Sequence, residues 1–287
     1  MHRIRLLPVL PILLAGLTIA PASVRAAESY DNCTGFIDSL PTTISQQGVW
    51  CLRGNLSTAI TSGNAITIAT NNVTIDCNDF KIGGLAAGDS SNAKGIYADN
   101  RQNTTVRHCA IRGFYSGIFV NEGAGHLVED NRLDNNLGFS IIVESDNSRV
   151  RRNAIYDTGG RPGSCCSYGI FADADVIDNT VAGVFATATD TFPNGIYVFS
   201  NSEVRGNLVR GNQVRGLAVA GAGSAIGIQA SNSGVRLAGN HVTASTATAG
   251  VGIAGSGSNT FCIDNSVVNF ATAYSSCEHS FGNLPAP

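Results

Sequence analysis

The stretch that decides the fold is "GIYVFSNSEVRGNLV", which runs from Gly195 to Val209. Its first half is a glycine and an isoleucine followed by alternating apolar residues, and it recurs along the chain. The copies are Gly95-Ile96-Tyr97-Ala98, Gly117-Ile118-Phe119-Val120, Ser140-Ile141-Ile142-Val143, Gly169-Ile170-Phe171-Ala172, Gly195-Ile196-Tyr197-Val198, Gly227-Ile228-Gln229-Ala230 and Gly252-Ile253-Ala254. They follow one another at steps of 22, 23, 29, 26, 32 and 25 residues.

The second half of the stretch also recurs, as an apolar residue followed by Asn and a second apolar residue. The copies include Val128–Asn131–Leu133, Val150–Asn153–Ile155, Val176–Asn179–Val181, Val204–Asn207–Val209 and Phe261–Asn265–Val267. A sharp bend between two strands needs a left-handed backbone residue, which Asn tolerates. Stacked Asn side chains can also hydrogen-bond to the turns above and below them. We therefore expect these asparagines to mark the bends of a coil.

A period of 22 residues or more, with short apolar segments and many glycines, is typical of a solenoid. Each segment alternates with period 2, so each is predicted to be a strand. Successive repeats would then stack their strands in parallel, roughly 4.8 Å apart.

In these repeats the chain resembles the right-handed parallel β-helix proteins of the pectate-lyase-like superfamily, from Ala65 to Asn269. The resemblance implies an all-β solenoid of roughly eight rungs. We expect a signal peptide at 1–26, an N-terminal cap at 27–64, the coil at 65–269 and a C-terminal cap or tail at 270–287. The sequence does not have the hexapeptide period of a left-handed β-helix. The strands of a β-sandwich would not recur at this spacing, so both folds are less favoured.

The first 26 residues predict export. A basic start at Arg3 and Arg5, an apolar stretch from Leu6 to Ala20 and the site Val24-Arg25-Ala26 form a signal-peptide pattern. We therefore expect a secreted or periplasmic protein without a membrane span. Residues 27–287 hold 15 basic against 21 acidic side chains, a net charge of −6 with no basic cluster, so nucleic acid is not expected as a partner.

The eight cysteines predict disulfides in an exported protein. Proximity in the sequence favours three pairs, namely Cys33–Cys51, Cys77–Cys109 and Cys262–Cys277. The remaining pair, Cys165 and Cys166, is adjacent in sequence and would be either a strained vicinal bridge or two free thiols. The sequence contains no Cys-x-x-Cys motif, so the cysteine spacing does not predict a zinc site.

Alternation along the strands predicts three outward rows of side chains. The first is nearly all glycine and is expected to form a shallow floor: Gly95, Gly117, Ser140, Gly169, Gly195, Gly227 and Gly252. The second is aromatic and suits the C–H faces of sugar rings: Tyr97, Phe119, Phe171 and Tyr197. The third is polar: Asp99, Asn121, Glu144 and Asp173.

The strands that contain the repeated Gly-Ile phrase are called the GI strands. The three rows lead to the hypothesis that a polysaccharide binds along the outer face of these strands. Carboxylates at Asp99, Glu144 and Asp173 could hold Ca²⁺ or act as acid and base, and Arg161 could neutralise a uronate carboxylate. The metal remains unknown, and calcium is the one cofactor considered. The alternative for the carboxylates is polar surface decoration.

The catalytic motifs of the resembling families are missing, so the sequence leaves open whether the protein is an enzyme. The arginine signature of pectate lyases, the aspartate pair of polygalacturonases and the Asp-Pro-His-Asp run of alginate epimerases do not occur. The reaction would be that of a lyase, hydrolase or epimerase. The alternative is a non-catalytic secreted or periplasmic protein whose aromatic stripe binds another protein. The oligomeric state stays open.

Overall fold

The computed structural model describes residues 30–163, 166–188, 192–199, 207–219, 223–231, 234–255 and 259–286. Over these residues the chain forms 27 β-strands and one short 3₁₀ helix, Leu85–Ala87. Every strand pairing described is parallel, and each strand pairs with the strand one repeat away. The chain is therefore an all-β parallel solenoid of about eight turns, as the repeat predicts.

Three sets of stacked strands form the sides of the coil. The GI strands are Thr42–Ile44, Asn64–Ile68, Lys94–Gln102, Ser116–Ala124, Phe139–Arg151, Tyr168–Ile177, Asn194–Phe199, Ala225–Ser231, His241–Ala254 and Ser266–Ser275. The second strands are Gly35–Ile37, Gly48–Leu52, Val73–Asp76, Thr105–Arg107, Leu127–Glu129, Leu208–Arg210, Arg236–Ala238, Phe261–Ile263 and His279–Phe281. The third strands are Leu56–Ser57, Lys81–Gly83, Ala110–Arg112, Arg132–Asp134, Ala154–Tyr156, Thr180–Ala182, Gln213–Arg215 and Leu284–Ala286.

Some GI strands continue around a corner without a break. Phe139–Arg151 and Tyr168–Ile177 also supply the second strand of their turn, because Val150 pairs with Val176. His241–Ala254 and Ser266–Ser275 begin as third strands, because Val242 pairs with Val267.

The core is a set of columns of buried apolar residues along the coil, and one column on the GI strands consists of isoleucine. The isoleucines predicted to point inward are fully buried: Ile96, Ile118, Ile141, Ile170, Ile196, Ile228 and Ile253. Each lies in register with the next, for example Ile118 with Ile141 and Ile141 with Ile170. Stacking at strand spacing removes nearly all of their surface from water, which stabilises each turn only together with its neighbours.

The expectation of an outward glycine floor is wrong. A Cβ at Gly195 would lie 2.4 Å from Cγ1 of Val214 on the third strand and 2.5 Å from the carbonyl oxygen of Gly227. Gly169 and Gly227 meet the equivalent valines, Val181 and Val242. The glycines therefore face the inside of the coil at the corner between two sides, where an added Cβ would clash. The one non-glycine residue of the row, Ser140, is buried there, and its hydroxyl lies 2.7 Å from that of Thr158.

The asparagines form a hydrogen-bonded ladder inside one corner of the coil. In each step the side-chain Nδ2 donates to the Oδ1 of the next Asn at 2.9 to 3.0 Å. The members are Asn131, Asn153, Asn179, Asn212, Asn240, Asn265 and Asn283. The predicted stacking is confirmed, and it satisfies polar groups that are shielded from water.

The left-handed residue of the bend is not the asparagine itself. It is the residue before it, with φ between 52° and 67°: Asp130, Arg152, Asp178, Gly211, Gly239, Asp264 and Gly282. Asn is needed for its amide, and the bend is made by the residue before it, which is a glycine or a charged residue.

Two of the predicted repeat copies are out of register. Val209, Asn212 and Val214 form the repeat that was expected at Val204, Asn207 and Val209, since Asn212 joins the ladder. In a later copy, Cys262 and not Phe261 lies in register with Leu237.

The three predicted disulfides are confirmed. Cys33–Cys51, Cys77–Cys109 and Cys262–Cys277 have Cα–Cα distances of 5.8, 4.7 and 5.7 Å. The prediction for Cys165 with Cys166 falls partly outside the described residues, because Cys165 is not among them.

Both segments that were expected to cap the coil contain strands in parallel register with it. Thr42–Ile44 pairs with Asn64–Ile68, and Leu284–Ala286 pairs with the start of Ser266–Ser275. The division into caps and coil stays a prediction. The predicted signal peptide lies in residues 1–26, outside the described residues. Among the described residues, none of the helices has the length and apolar character to cross a bilayer.

Candidate functional site

The aromatic and polar rows predicted for the GI strands are in register. The aromatic row runs Tyr97, Phe119, Ile142, Phe171, Tyr197 and Gln229. The polar row runs Asp99, Asn121, Glu144 and Asp173. Adjacent members within a row belong to neighbouring turns of the coil.

The outward row beside the aromatic row is not glycine but Lys94, Ser116, Phe139, Tyr168 and Asn194. Gly95 and Ile96 are both buried, so the simple alternation shifts by one residue at this point. That shift hides Phe139 and Tyr168 from the sequence reasoning. The signal that could have found them is an aromatic residue directly before two copies of the repeat, at "FSII" and "YGIF".

These rows enclose a cleft of about 520 Å³ on the outer face of the GI strands. Its lining is half aromatic: Asn92, Lys94, Tyr115, Ser116, Phe119, Phe139, Ile142, Glu144, Tyr168 and Phe171. The volume lies in the range of ordinary ligand sites, which combine apolar walls with a few polar groups. Of the predicted site residues, Phe119, Glu144 and Phe171 line this cleft.

Contacts between rings fix the orientation of the aromatic walls. Phe171 stacks on Tyr197 with ring centroids 5.1 Å apart and planes 5° apart. Phe139 stacks on Tyr168 with centroids 5.1 Å apart and planes 6° apart. The two stacks meet edge to face, with Tyr168 and Phe171 5.4 Å apart at 80°. Four rings thus form one rigid block at one end of the cleft.

The opposite end of the cleft carries a positive charge. Tyr97 and Phe119 have centroids 5.6 Å apart, and Nζ of Lys94 lies 5.2 Å from the centroid of each ring. A cation over aromatic faces is held by the ring quadrupoles. Lys94 was not predicted as a site residue, because a single lysine has no sequence signature.

The three predicted carboxylates have different surroundings. Asp99 accepts a hydrogen bond of 2.7 Å from Nδ2 of Asn121. Asp173 is only 5% exposed and accepts a hydrogen bond of 2.9 Å from Nδ2 of Asn207. Among the described residues, none donates a hydrogen bond to the carboxylate of Glu144. Glu144 is therefore the carboxylate of this row that is available to a ligand in the cleft.

The pKa of the Glu144 carboxyl is raised above its ordinary value. Burial raises the pKa of its carboxyl, and the neighbouring charge of Asp173 raises it further. Burial and the neighbouring Asp99 carboxylate raise the pKa of Tyr97, which belongs to the aromatic row. A carboxyl group with a raised pKa beside a buried acid is a common arrangement in sites that transfer protons.

Arg161 lies apart from the carboxylate row. Its guanidinium carbon is 4.6 Å from the ring centroid of Tyr115, and its carbonyl oxygen accepts a hydrogen bond of 2.7 Å from Thr187. The structure therefore places Arg161 behind one aromatic wall of the cleft and does not bring it together with Asp99, Glu144 and Asp173.

The carboxylate row does not fit calcium. Asp99 and Asp173 already accept hydrogen bonds from amides, and Asp173 is buried. Calcium needs six to eight oxygen ligands that can converge on one point. Among the described residues no group of three His, Cys, Asp or Glu side chains is placed to hold a metal ion.

Comparison with protein families identifies the class. Residues 49–225 match the family model of the right handed beta helix region, which is more than half of the chain. The chain belongs to this family. The match gives the right hand of the coil that the resemblance implied, and it names no particular activity.

Several solved structures are similar to this chain at low sequence identity. The A-module of mannuronan C-5 epimerase AlgE6 from Azotobacter vinelandii is 15% identical over 83% of this chain and 83% of its own, with a TM-score of 0.45. The Dettilon tailspike protein is 15% identical over 86% of this chain and 58% of its own, with a TM-score of 0.48. The catalytic domain of a GH87 alpha-1,3-glucanase is 12% identical over 88% and 63%, with a TM-score of 0.38. At these identities the similarity concerns the fold alone. No curated protein sequence matches the chain.

Proposed function

We propose that the protein is exported and binds an extended polysaccharide along the outer face of the GI strands, with the cleft as the centre of that site. The observation that carries the proposal is the lining of the cleft, in which five of ten residues are aromatic and the others include Lys94 and Glu144. Sugar rings bury their C–H faces on aromatic side chains while their hydroxyl groups meet polar side chains.

The direction in which the polysaccharide would run follows from the order of residues in the rows. Tyr97 and Phe119 lie on one side of the cleft and Phe171 and Tyr197 on the other, along the axis of the coil. A polymer that crosses the cleft along this axis passes the carboxylate row at each turn. Lys94 would then stabilise an anionic or hydroxyl-rich sugar at one end.

The catalytic part of the proposal assigns the proton transfer to Glu144. Its carboxyl lines the cleft, and its raised pKa keeps a proton available near neutral pH more often than an exposed glutamate would. Asp173 supplies the neighbouring negative charge. Asp99 lies two turns before Glu144 in the same row and would contact a sugar further along the polymer. Arg161 supports the Tyr115 wall in place of the uronate contact expected from the sequence.

Export is supported by two observations. Residues 1–26 have the pattern of a signal peptide. Three disulfides form in the described residues, and disulfides persist in oxidising compartments.

A protein–protein interface is the second candidate. It is favoured by the stacking of Phe171 on Tyr197, since each ring covers a face that a sugar would otherwise use. In that case the purified protein would be a stable dimer, and Phe171→Arg would convert it to a monomer, as measured by solution mass.

The first experiment measures binding of a panel of acidic and neutral oligosaccharides by calorimetry, and products by mass spectrometry. Phe171→Ala should weaken binding at least about 10-fold, because it removes one wall of the cleft. The control is Phe281→Ala. Phe281 is 76% exposed and lies in His279–Phe281, on a different side of the coil, so this variant should bind as the unmodified protein does. Equal affinity in Phe171→Ala would overturn the proposal.

The catalytic part has its own test. Glu144→Gln should abolish turnover of a substrate found in the panel but leave its affinity within a few fold. The control Asp31→Asn changes an exposed carboxylate at the end of the coil and should keep full activity. Turnover by Glu144→Gln would remove Glu144 from the mechanism, and binding without turnover in the unmodified protein would leave a binding protein.

A further inference from the structure

The aromatic row is interrupted at one turn of the coil. Phe119 and Phe171 lie on either side of Ile142, each in register with it. Ile142 is 4% exposed and lines the cleft from below. The row therefore leaves a slot where one ring is missing, between two aromatic residues two turns apart.

The width of the slot follows from the strand spacing. Two steps of about 4.8 Å separate Phe119 and Phe171 by roughly 9.6 Å between their backbones. Neighbouring rings in the same row, one step apart, have their centroids at 5.1 Å in the case of Phe171 and Tyr197. The slot thus has the width of one additional ring stacked on both sides.

The outer sides of both walls are already covered. Tyr97 and the ammonium group of Lys94 lie against Phe119 from the preceding turn. Tyr197 lies against Phe171 from the following turn. Phe139 and Tyr168 also contact Phe171 edge to face, at 6.0 and 5.4 Å. The position at which a ligand could contact both Phe119 and Phe171 is therefore the turn of Ile142, which lies in register between them.

We propose that a single sugar ring of the polysaccharide inserts into this slot, sandwiched between Phe119 and Phe171 and resting on Ile142. Glu144 is two residues further along the same strand and on the same face, so it lies at the side of the inserted ring. The slot is then the subsite at which Glu144 meets the polymer. This inference rests on the proposed function and specifies where one sugar unit is held.

The test replaces the residue at the base of the slot with a larger one that would occupy it. Ile142→Phe introduces a ring at the one turn that lacks it, and the neighbouring turns show that this row accepts rings at strand spacing. The matched control is Gln229→Phe, which extends the same row at its far end, next to Tyr197 and outside the cleft. Both variants are compared with the unmodified protein in thermal unfolding and in calorimetric titration with uronate and neutral glucan hexasaccharides.

The expected result is that Gln229→Phe binds a hexasaccharide within about threefold of the unmodified protein, whereas Ile142→Phe loses at least about 30-fold, equivalent to about 2 kcal/mol. Equal affinity of all three proteins would overturn the slot and leave the proposed function standing. Failure of the unmodified protein to bind either hexasaccharide would count against the proposed function and, with it, the slot as a saccharide subsite.

A second variant covers the case in which Ile142→Phe does not fold. Phe119→Leu removes one wall of the slot and keeps an apolar residue, so its affinity should fall about 10-fold with the same ligand. Unchanged affinity in Phe119→Leu would contradict a ring held between two walls.

Discussion

The side-chain amide of Asn131 donates to the side-chain oxygen of Asn153, one turn further along the coil, at 2.9 Å. The backbone N–H of Asn131 donates to the same oxygen at 3.1 Å. Nδ2 of Asn153 in turn donates to the carbonyl oxygen of Val128 at 2.9 Å. The same Nδ2 also donates to the carbonyl oxygen of Arg151 at 3.1 Å. The carboxamide of Asn153 therefore satisfies backbone groups of its own turn and of the turn before it.

Asn153→Ala should lower the free energy of unfolding by at least about 2 kcal/mol, because it leaves buried donors and acceptors without partners. Urea denaturation measures the change. Asn283→Ala, at the end of the described ladder and only half-buried, should cost no more than about 1 kcal/mol. Equal losses in the two variants would contradict a ladder whose interior carries the larger share.

Gly195→Ala should destabilise the protein by about 2 kcal/mol, because the added methyl group would lie 2.4 Å from Val214 and 2.5 Å from a backbone oxygen. Gly54→Ala is the control, since nothing lies within 4 Å of the added atom. Its effect should stay within about 0.5 kcal/mol. Urea denaturation distinguishes the corner position from an exposed glycine floor, for which both substitutions would be nearly neutral.

The buried columns and the coil could be predicted because burial imposes one residue type at one spacing. Ile118 and Ile141 are apolar at a period that leaves little choice of fold. The disulfides followed from proximity, since a solenoid brings residues one turn apart into contact. The hydrogen bond between Asp173 and Asn207, across 34 residues, was not accessible, because it depends on the length of one irregular turn.

The cleft was predicted only in part, for two physical reasons. At Gly95 and Ile96 two successive residues face inward, so strict alternation assigns the wrong outward row and misses Phe139 and Tyr168. The sequence around Asn207 repeats after five residues, so two registers fit the apolar pattern equally well. Only hydrogen bonding to the neighbouring turns selects the second.

Glu144→Gln should stabilise the protein at neutral pH. Because the pKa of Glu144 is raised by burial and by Asp173, the folded state binds its proton more tightly than the unfolded state does. Stability contributed by the protonated form is thus complete below the usual carboxyl pKa and is lost as the pH rises through the folded value. Urea midpoints at about pH 3 and at about pH 7 should show a gain only at the higher pH. A gain that is equal at both would exclude this origin.

His126 should make the protein less stable as the pH falls through about 6.5. Burial lowers the pKa of its imidazole, although a hydrogen bond to the carbonyl of Glu122 opposes the shift. Its Nδ1 accepts a hydrogen bond of 3.1 Å from the backbone N–H of Thr104, so Nε2 carries the proton and donates to Glu122. The unfolded state therefore takes up a proton first, and stability present above the unfolded pKa is lost on acidification. His126→Gln should flatten the dependence of the urea midpoint on pH between about pH 5 and 7. An unaltered slope in this variant would assign the acid sensitivity to other groups.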